Sequence, residues 1–224
     1  MIALLAGMLT ACTPVIPPQM PVETIQAPAD FPEDYYRQAK AQGKKILRVD
    51  SAQSLVVIEV HRAGSLARLG HDHVVASHNV SGYVSVSEGL ADLFVPFERL
   101  AVDEPELRTE AGFDTQPSPE DIESTRRNML AKALDSEHFP FALIRATWAD
   151  ANRHTLNVSI TLHGVTRTYD VPAQMETVRD GIAIGGKMSF KQTDFGITPI
   201  SVLGGALQVQ DKLDLRFHLL AQGK

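Results

Sequence analysis

Polar and apolar residues alternate strictly along several segments of the chain. In residues 155–163 every second position is apolar, from Leu156 to Leu162, and the positions between them are polar. This period of two predicts a β-strand with one buried face. The pattern recurs in residues 181–191 and 207–219. Shorter strands are predicted at residues 46–50, 54–62, 73–76, 80–87, 91–98, 141–148 and 167–174.

Two segments carry helix signals instead. Ser118 is a candidate N-cap, Pro119 suits the first helical position, and apolar residues follow at helical spacing. We predict that this helix stops near Leu134. A shorter helix is predicted between Asp30 and Ala41, where an early proline and acidic residues mark its start.

The predicted strands share one apolar face, and this restricts the architecture. Two packed sheets or a closed barrel would both bury that face, but only closure removes the exposed strand edges. A barrel of about eight strands can hold one small ligand inside, whereas a sandwich fills its interior with its own side chains. The periodicity alone leaves both architectures open, and it does not say which strand face would line a lumen.

The N-terminal segment has the pattern of an export signal. Residues 2–9 are apolar and uncharged, and Leu9-Thr10-Ala11-Cys12 resembles the bacterial lipoprotein box. The resemblance implies a signal peptide over residues 1–11 and lipidation of Cys12, which would hold the protein on a membrane without a spanning helix. Because Thr13 is not aspartate, similarity to lipoprotein sorting signals favours the periplasmic face of the outer membrane. The alternative is an apolar N terminus with an incidental cysteine.

Composition separates a linker from a folded domain. Six of the thirteen prolines lie in residues 13–32, which predicts an extended tether. We therefore assign residues 12–45 to a lipid anchor and proline-rich linker and residues 46–224 to the domain. The net charge of −6 disfavours nucleic acid as a partner, since nucleic-acid affinity depends on clustered lysine and arginine.

Four motifs resemble those of the YceI-like family. In chain order they are Arg48-Val49-Asp50-Ser51, the segment Ser136-Glu137-His138-Phe139-Pro140, Gly164-Val165-Thr166-Arg167 and Asp194-Phe195-Gly196-Ile197. The resemblance implies an all-β fold, an antiparallel lipocalin-like barrel of about eight strands with one inserted helix. Some members of the family hold a long isoprenoid-type or other amphiphilic chain in the lumen. This chain departs from the family pattern at Arg127, Met129 and Lys191, so polar contacts of relatives at those positions do not carry over.

The residues suggest how such a chain would be held. The candidate ligand-binding residues are one strand face of apolar side chains, Leu156, Val158, Ile160, Ile182, Ile184, Met188 and Phe190. Arg126 on the inserted helix is a candidate contact for a phosphate head group. The alternatives are that the apolar residues fill the core and that Arg126 is a solvated surface charge.

Histidines suggest a second kind of site. His71 and His73 are two residues apart, so in an extended segment both rings project from one face, and a glycine-flanked loop could bring His61 close. Such a cluster would suit zinc or copper. The alternative is a polar loop whose histidines bond to backbone or water.

No catalytic motif is evident in the sequence. We therefore expect a binding protein for a lipid-like molecule rather than an enzyme. The second hypothesis is a periplasmic metal-binding accessory protein that uses His61, His71 and His73. The third is an envelope lipoprotein with a filled core and a protein partner. The sequence identifies neither the ligand nor the oligomeric state.

Overall fold

The structure is a computed structural model that describes residues 26–149 and 154–223. Cys12, the predicted signal peptide and residues 13–25 of the predicted linker lie outside the described residues. The helices are α1 (Glu33–Ala41), α2 (Pro105–Glu110) and α3 (Pro119–Asn128). The strands are β1 (Ile46–Val49), β2 (Leu55–Val60), β3 (Arg62–Ala63), β4 (His73–Ser77), β5 (Ser81–Ser85), β6 (Leu90–Pro96), β7 (Ala101–Val102), β8 (Phe141–Trp148), β9 (Thr155–Leu162), β10 (Val165–Val178), β11 (Gly181–Lys191), β12 (Ser201–Val202), β13 (Leu207–Val209) and β14 (Lys212–Gln222).

The large sheet closes on itself as an antiparallel barrel of eight strands. Its neighbours follow the order β1, β5, β6, β8, β9, β10, β11 and β14, and β14 pairs back onto β1 through Val49 and Ala221. Three further strands continue this sheet. β2 pairs with the same edge of β14 that pairs with β1, β4 pairs with β2, and β7 pairs with β4. This topology confirms the predicted lipocalin-like barrel and decides between the two architectures that periodicity left open.

The alternation within each strand separates the two sides of the barrel wall. On the outer face of β9 and β10 the polar side chains form a ladder of cross-strand hydrogen bonds, Asn157 to Asp170 at 2.9 Å and Ser159 to Thr168 at 3.0 Å. The register places Val158 opposite Tyr169 and Leu156 opposite Val171. One face is thus satisfied by polar pairs and the other is free to bury apolar surface.

Helix α3 lies at one end of the barrel. Ser118 caps it through a reciprocal pair of hydrogen bonds with Asp121, and a π-helical turn, Met129–Ala133, continues it to Leu134. The N-cap, the early proline and the end of the predicted helix are therefore confirmed. Apolar residues of this helix pack against the core cluster that contains Val95.

Helices α1 and α2 pack on the outside of the barrel. Tyr36 of α1 is only 1% exposed, and its hydroxyl donates a 2.8 Å hydrogen bond to Asp92 of β6. Leu107 of α2 packs on the outward-facing Val74 and Ala76 of β4. In the part of the chain that the structure describes, no helix has both the length and the apolar character of a membrane span.

Three sequence-based assignments differ from the structure. The strand predicted at residues 207–219 is two strands, because Asp211 falls on the apolar face and accepts hydrogen bonds from the Thr193 amide and hydroxyl instead of continuing the ladder. The predicted strand 167–174 is longer, Val165–Val178. Sequence analysis missed α2 and the short strands β3, β7 and β12, which have too few residues to show a period.

Candidate functional site

The barrel encloses an apolar cavity of about 500 Å³. This volume lies within the ~300–1,000 Å³ typical of small-molecule sites. Every barrel strand contributes to the wall, and the cavity runs from Trp148 and Thr177 at one end of the barrel to His73 and Asn128 at the end where α3 lies. A cavity of this size does not favour the third hypothesis, a barrel filled by its own side chains.

All seven predicted apolar residues lie in the cavity wall. The strands β9 and β11 turn one face inward, with Leu156, Val158, Ile160, Ile182, Ile184, Met188 and Phe190 along it. The register explains this arrangement, because β11 pairs with β14 so that Met188 lies opposite Leu215 and Ile184 opposite Leu219. The structure therefore decides which strand face lines the lumen.

Sequence analysis missed a larger share of the wall. The inward faces of β2, β4, β6, β8 and β14 contribute as well, including Ile58, Val75, Leu93, Ile144 and Phe217. The signal was present in β14, which shows the same alternation, but β2, β4 and β6 carry apolar residues at adjacent positions, so the sequence does not say which of their faces points inward. What was missing was the closure of the sheet, which turns five separate apolar faces toward one interior.

Arg126 does not line the cavity. Its guanidinium donates to the backbone carbonyls of Leu100, at 3.3 Å, and Glu98, at 2.6 Å. These bonds fasten α3 to the connection between β6 and β7. The predicted contact with a phosphate head group is therefore not supported, because Arg126 is not part of the cavity wall and its Nε and Nη2 donate to the backbone.

The histidines do not form the predicted metal site. The ring centroids of His71 and His73 are 6.3 Å apart. Nδ1 of His61, however, lies 3.7 Å from Oδ1 of Asp72, and the His61 ring packs edge-on against Phe113. Within residues 26–149 and 154–223 no group of three or more histidine, cysteine, aspartate or glutamate residues is arranged to hold a metal ion. The metal hypothesis is thus corrected, since zinc sites in proteins need three or four such ligands.

His73 instead belongs to a buried polar network at the α3 end. Its Nδ1 lies 2.6 Å from Oδ2 of Asp103, while Oδ1 of Asp103 accepts hydrogen bonds from Arg108, at 2.5 Å, and from the Val74 amide, at 3.0 Å. The side chains of Asp103 and Arg108 are 0% and 1% exposed. Burial opposes ionisation of Asp103, but the hydrogen bonds from His73, Val74 and Arg108 outweigh it and lower the pKa of this carboxyl.

The cavity wall carries little charge. Among the described residues the titratable side chains in the wall are Lys45 and His73, which lie at opposite ends. Thr125 and Asn128 of α3 also line it, three residues apart on one face of the helix. The interior is therefore suited to a molecule with a long apolar body and at most a small polar group.

Fold and cavity together define a class of protein, an up-and-down β-barrel with a ligand-sized apolar interior. The sequence comparison then identifies the family: the YceI-like domain matches residues 48–221, and the chain belongs to the YceI-like family. This confirms the resemblance that the four motifs suggested.

Two solved structures show the same fold at low sequence identity. The first is a polyisoprenoid binding domain from Saccharophagus degradans implicated in plant cell wall breakdown; it is 12% identical, with a TM-score of 0.58, and the match covers 81% of this chain and 99% of that one. The second is BcnA of Burkholderia cenocepacia, which is 16% identical, with a TM-score of 0.52 and coverage of 77% and 98%. No curated protein sequence matches the chain.

Proposed function

We propose that this protein binds a long-chain lipid or isoprenoid-like molecule inside the barrel, without a catalytic step. The observation that carries the proposal is the apolar cavity of about 500 Å³. Burying apolar ligand surface there contributes about 25 cal/mol per Å² before ordering costs. The fold shared with a polyisoprenoid binding domain supports the same ligand class.

The cavity supplies its own reporter of binding. Trp148 is the single tryptophan of the chain, and it lies in the cavity wall. Titration with a long-chain isoprenoid is therefore expected to change its fluorescence with a saturable, stoichiometric end point. Organic extraction of gently purified protein, followed by mass spectrometry, is expected to release a lipid in equimolar amount. Protein that carries no lipid and gives no saturable signal would refute the proposal.

A matched pair of variants separates the cavity from the surface. Val158 faces the cavity, and its neighbour Ser159 faces outward. Val158→Trp fills part of the cavity, so we expect at least tenfold weaker lipid binding, whereas Ser159→Trp places the same ring outside and leaves affinity within about twofold. These variants add a second tryptophan, so binding is measured by displacement of an apolar fluorophore. Equal loss in both would show that the cavity is not the site.

We further propose that the protein is exported and anchored through Cys12 to the periplasmic face of the outer membrane. The sequence Leu9-Thr10-Ala11-Cys12 supports this proposal. When the full chain is expressed in a Gram-negative host, we expect it to incorporate labelled palmitate. We expect the labelled protein to fractionate with the outer membrane. Cys12→Ser is expected to lose the label. Label in both chains, or in neither, would contradict the anchor while leaving ligand binding untouched.

A further inference from the structure

The α3 end of the cavity carries polar side chains that offer hydrogen-bonding atoms to the interior. His73, Thr125 and Asn128 all line the wall at the α3 end. Asp103 engages Nδ1 of His73, and this is the side-chain hydrogen bond that the ring makes to the described residues, so Nε2 on the opposite edge is available. The Thr125 and Asn128 side chains make no hydrogen bond to another described residue. A group that offers hydrogen bonds inside an apolar cavity is a point of ligand recognition.

The hydrogen-bond network around His73 determines which ring nitrogen carries the proton. An ionised aspartate only accepts hydrogen bonds, so Asp103 at 2.6 Å requires a proton on Nδ1 of His73. Arg108, at 2.5 Å from the same carboxylate, holds Asp103 in its ionised form. In the neutral ring Nε2 is therefore an acceptor. This acceptor lies at the same end of the cavity as the Asn128 amide, which both donates and accepts, and as the Thr125 hydroxyl.

The charges at this end favour a neutral head group. Both nearby arginines have partners: Arg108 pairs with Asp103, and Arg126 donates to backbone carbonyls. Asp121 in the first turn of α3 is a carboxylate, and hydrogen bonds from Ser118 lower its pKa. No arginine lines the cavity among the described residues, so a phosphate at this end would lack the side chain that binds phosphate best. A hydroxyl fits, because it donates to one acceptor and accepts from one donor.

We infer that His73, Thr125 and Asn128 form a head-group subsite that binds the hydroxyl of a long-chain lipid alcohol, with its tail directed toward Trp148. The hydroxyl donates to Nε2 of His73 and accepts from Asn128 or Thr125. This inference rests on the proposed lipid binding and adds an orientation and a head-group chemistry to it.

The test compares three probes that share one tail: geranylgeraniol, its methyl ether and geranylgeranyl phosphate. The ether can accept but cannot donate, so the intact protein is expected to bind the alcohol roughly three- to tenfold more tightly, the value of one hydrogen bond. The phosphate is expected to bind no better than the ether. Tighter binding of the phosphate would overturn the hydroxyl assignment. Equal binding of alcohol and ether would overturn the subsite while the proposed function stands; binding of no probe would overturn both.

Variants locate the subsite. His73→Phe is expected to abolish the preference for the alcohol, but it also removes a donor from Asp103, so Thr125→Val and Asn128→Leu are tested in parallel because they leave that pair intact. At least one of these two is expected to weaken alcohol binding about threefold or more with little change for the ether. Thr177→Val makes the same chemical change at the opposite end of the cavity. If only Thr177→Val removes the preference, the head group lies at the other end and the inference is wrong.

Discussion

Asp92 and Asp103 are both buried carboxylates paired with an arginine and a ring side chain, but they lie in different surroundings. Asp92 accepts hydrogen bonds from Tyr36, at 2.8 Å, and from Nε of Arg145, at 2.7 Å, beneath α1 on the outside of the barrel. Asp103 accepts from Arg108 and His73, and His73 reaches the cavity wall.

The difference shows what a buried charge can and cannot indicate. The network around Asp92 fastens a helix to the wall, and it ends at Arg145, whose side chain is 58% exposed to solvent. The network around Asp103 ends at His73, a ring with a free nitrogen at the cavity. A buried ion pair alone is evidence for neither stability nor function. The position of the ion pair relative to the cavity distinguishes a structural contact from a candidate binding site.

The largest effect is expected from Asp103→Asn. Asparagine keeps the size of the side chain and tolerates the positive φ of 58° at this position, but it leaves Arg108 buried without a counter-charge. We expect a loss of about 3 kcal/mol in the free energy of unfolding, measured by urea denaturation. Asp180→Asn, in an exposed turn, is the control and is expected to be neutral. A loss below about 1 kcal/mol would mean that Arg108 is not dependent on this carboxylate.

The pH dependence tests the same carboxyl without a change of shape. The pKa of Asp103 is lower in the folded protein than the ~3.9 of an unfolded chain. Its ionisation therefore stabilises the fold above about pH 4, and that contribution is lost as pH falls through the folded-state pKa. Asp211 and Asp214 act in the same direction. We expect the stability gap between the wild type and Asp103→Asn to narrow from pH 7 to pH 3, whereas a constant gap would contradict this assignment.

Tyr36→Phe is expected to have a smaller effect. It removes one buried hydrogen bond to Asp92 while the two bonds from Arg145 remain. We expect a loss of about 1 kcal/mol in the free energy of unfolding and no change in lipid affinity. Tyr35→Phe is the matched control, since Tyr35 is exposed on the same helix and bonds to Glu88 at the surface. A change in lipid affinity for Tyr36→Phe would end the distinction between the two networks.

The smallest effect is expected at the start of α3, the helix that carries Thr125 and Asn128 to the cavity. Ser118→Ala removes the N-cap and should cost about 1 kcal/mol or less. Ser124→Ala, within the helix, makes the same chemical change without a cap to lose and is expected to be neutral or slightly stabilising. Both are measured by thermal unfolding. Equal melting temperatures for the two variants would show that the cap contributes nothing.

The sequence by itself determined the strands of the barrel and the capped helix. Alternation over eight or more residues identifies a buried face because side chains on a strand point to opposite sides. The apolar wall residues of β9 and β11 and the start of α3 at Pro119 could be predicted on this basis. Four short motifs added the family.

Only the tertiary structure decided which strand faces line the cavity and which side chains contact each other. Closure of β14 onto β1 turned the apolar faces into one cavity. The tertiary structure also places His73 against Asp103, thirty residues away in sequence, and brings no group of three metal-ligating side chains together among the described residues. Arg126 was predicted to contact a phosphate because arginine commonly binds phosphate. In the structure, the packing of α3 places its guanidinium against the backbone carbonyls of Leu100 and Glu98. Such contacts depend on segments distant along the chain, and local periodicity carries no information about them.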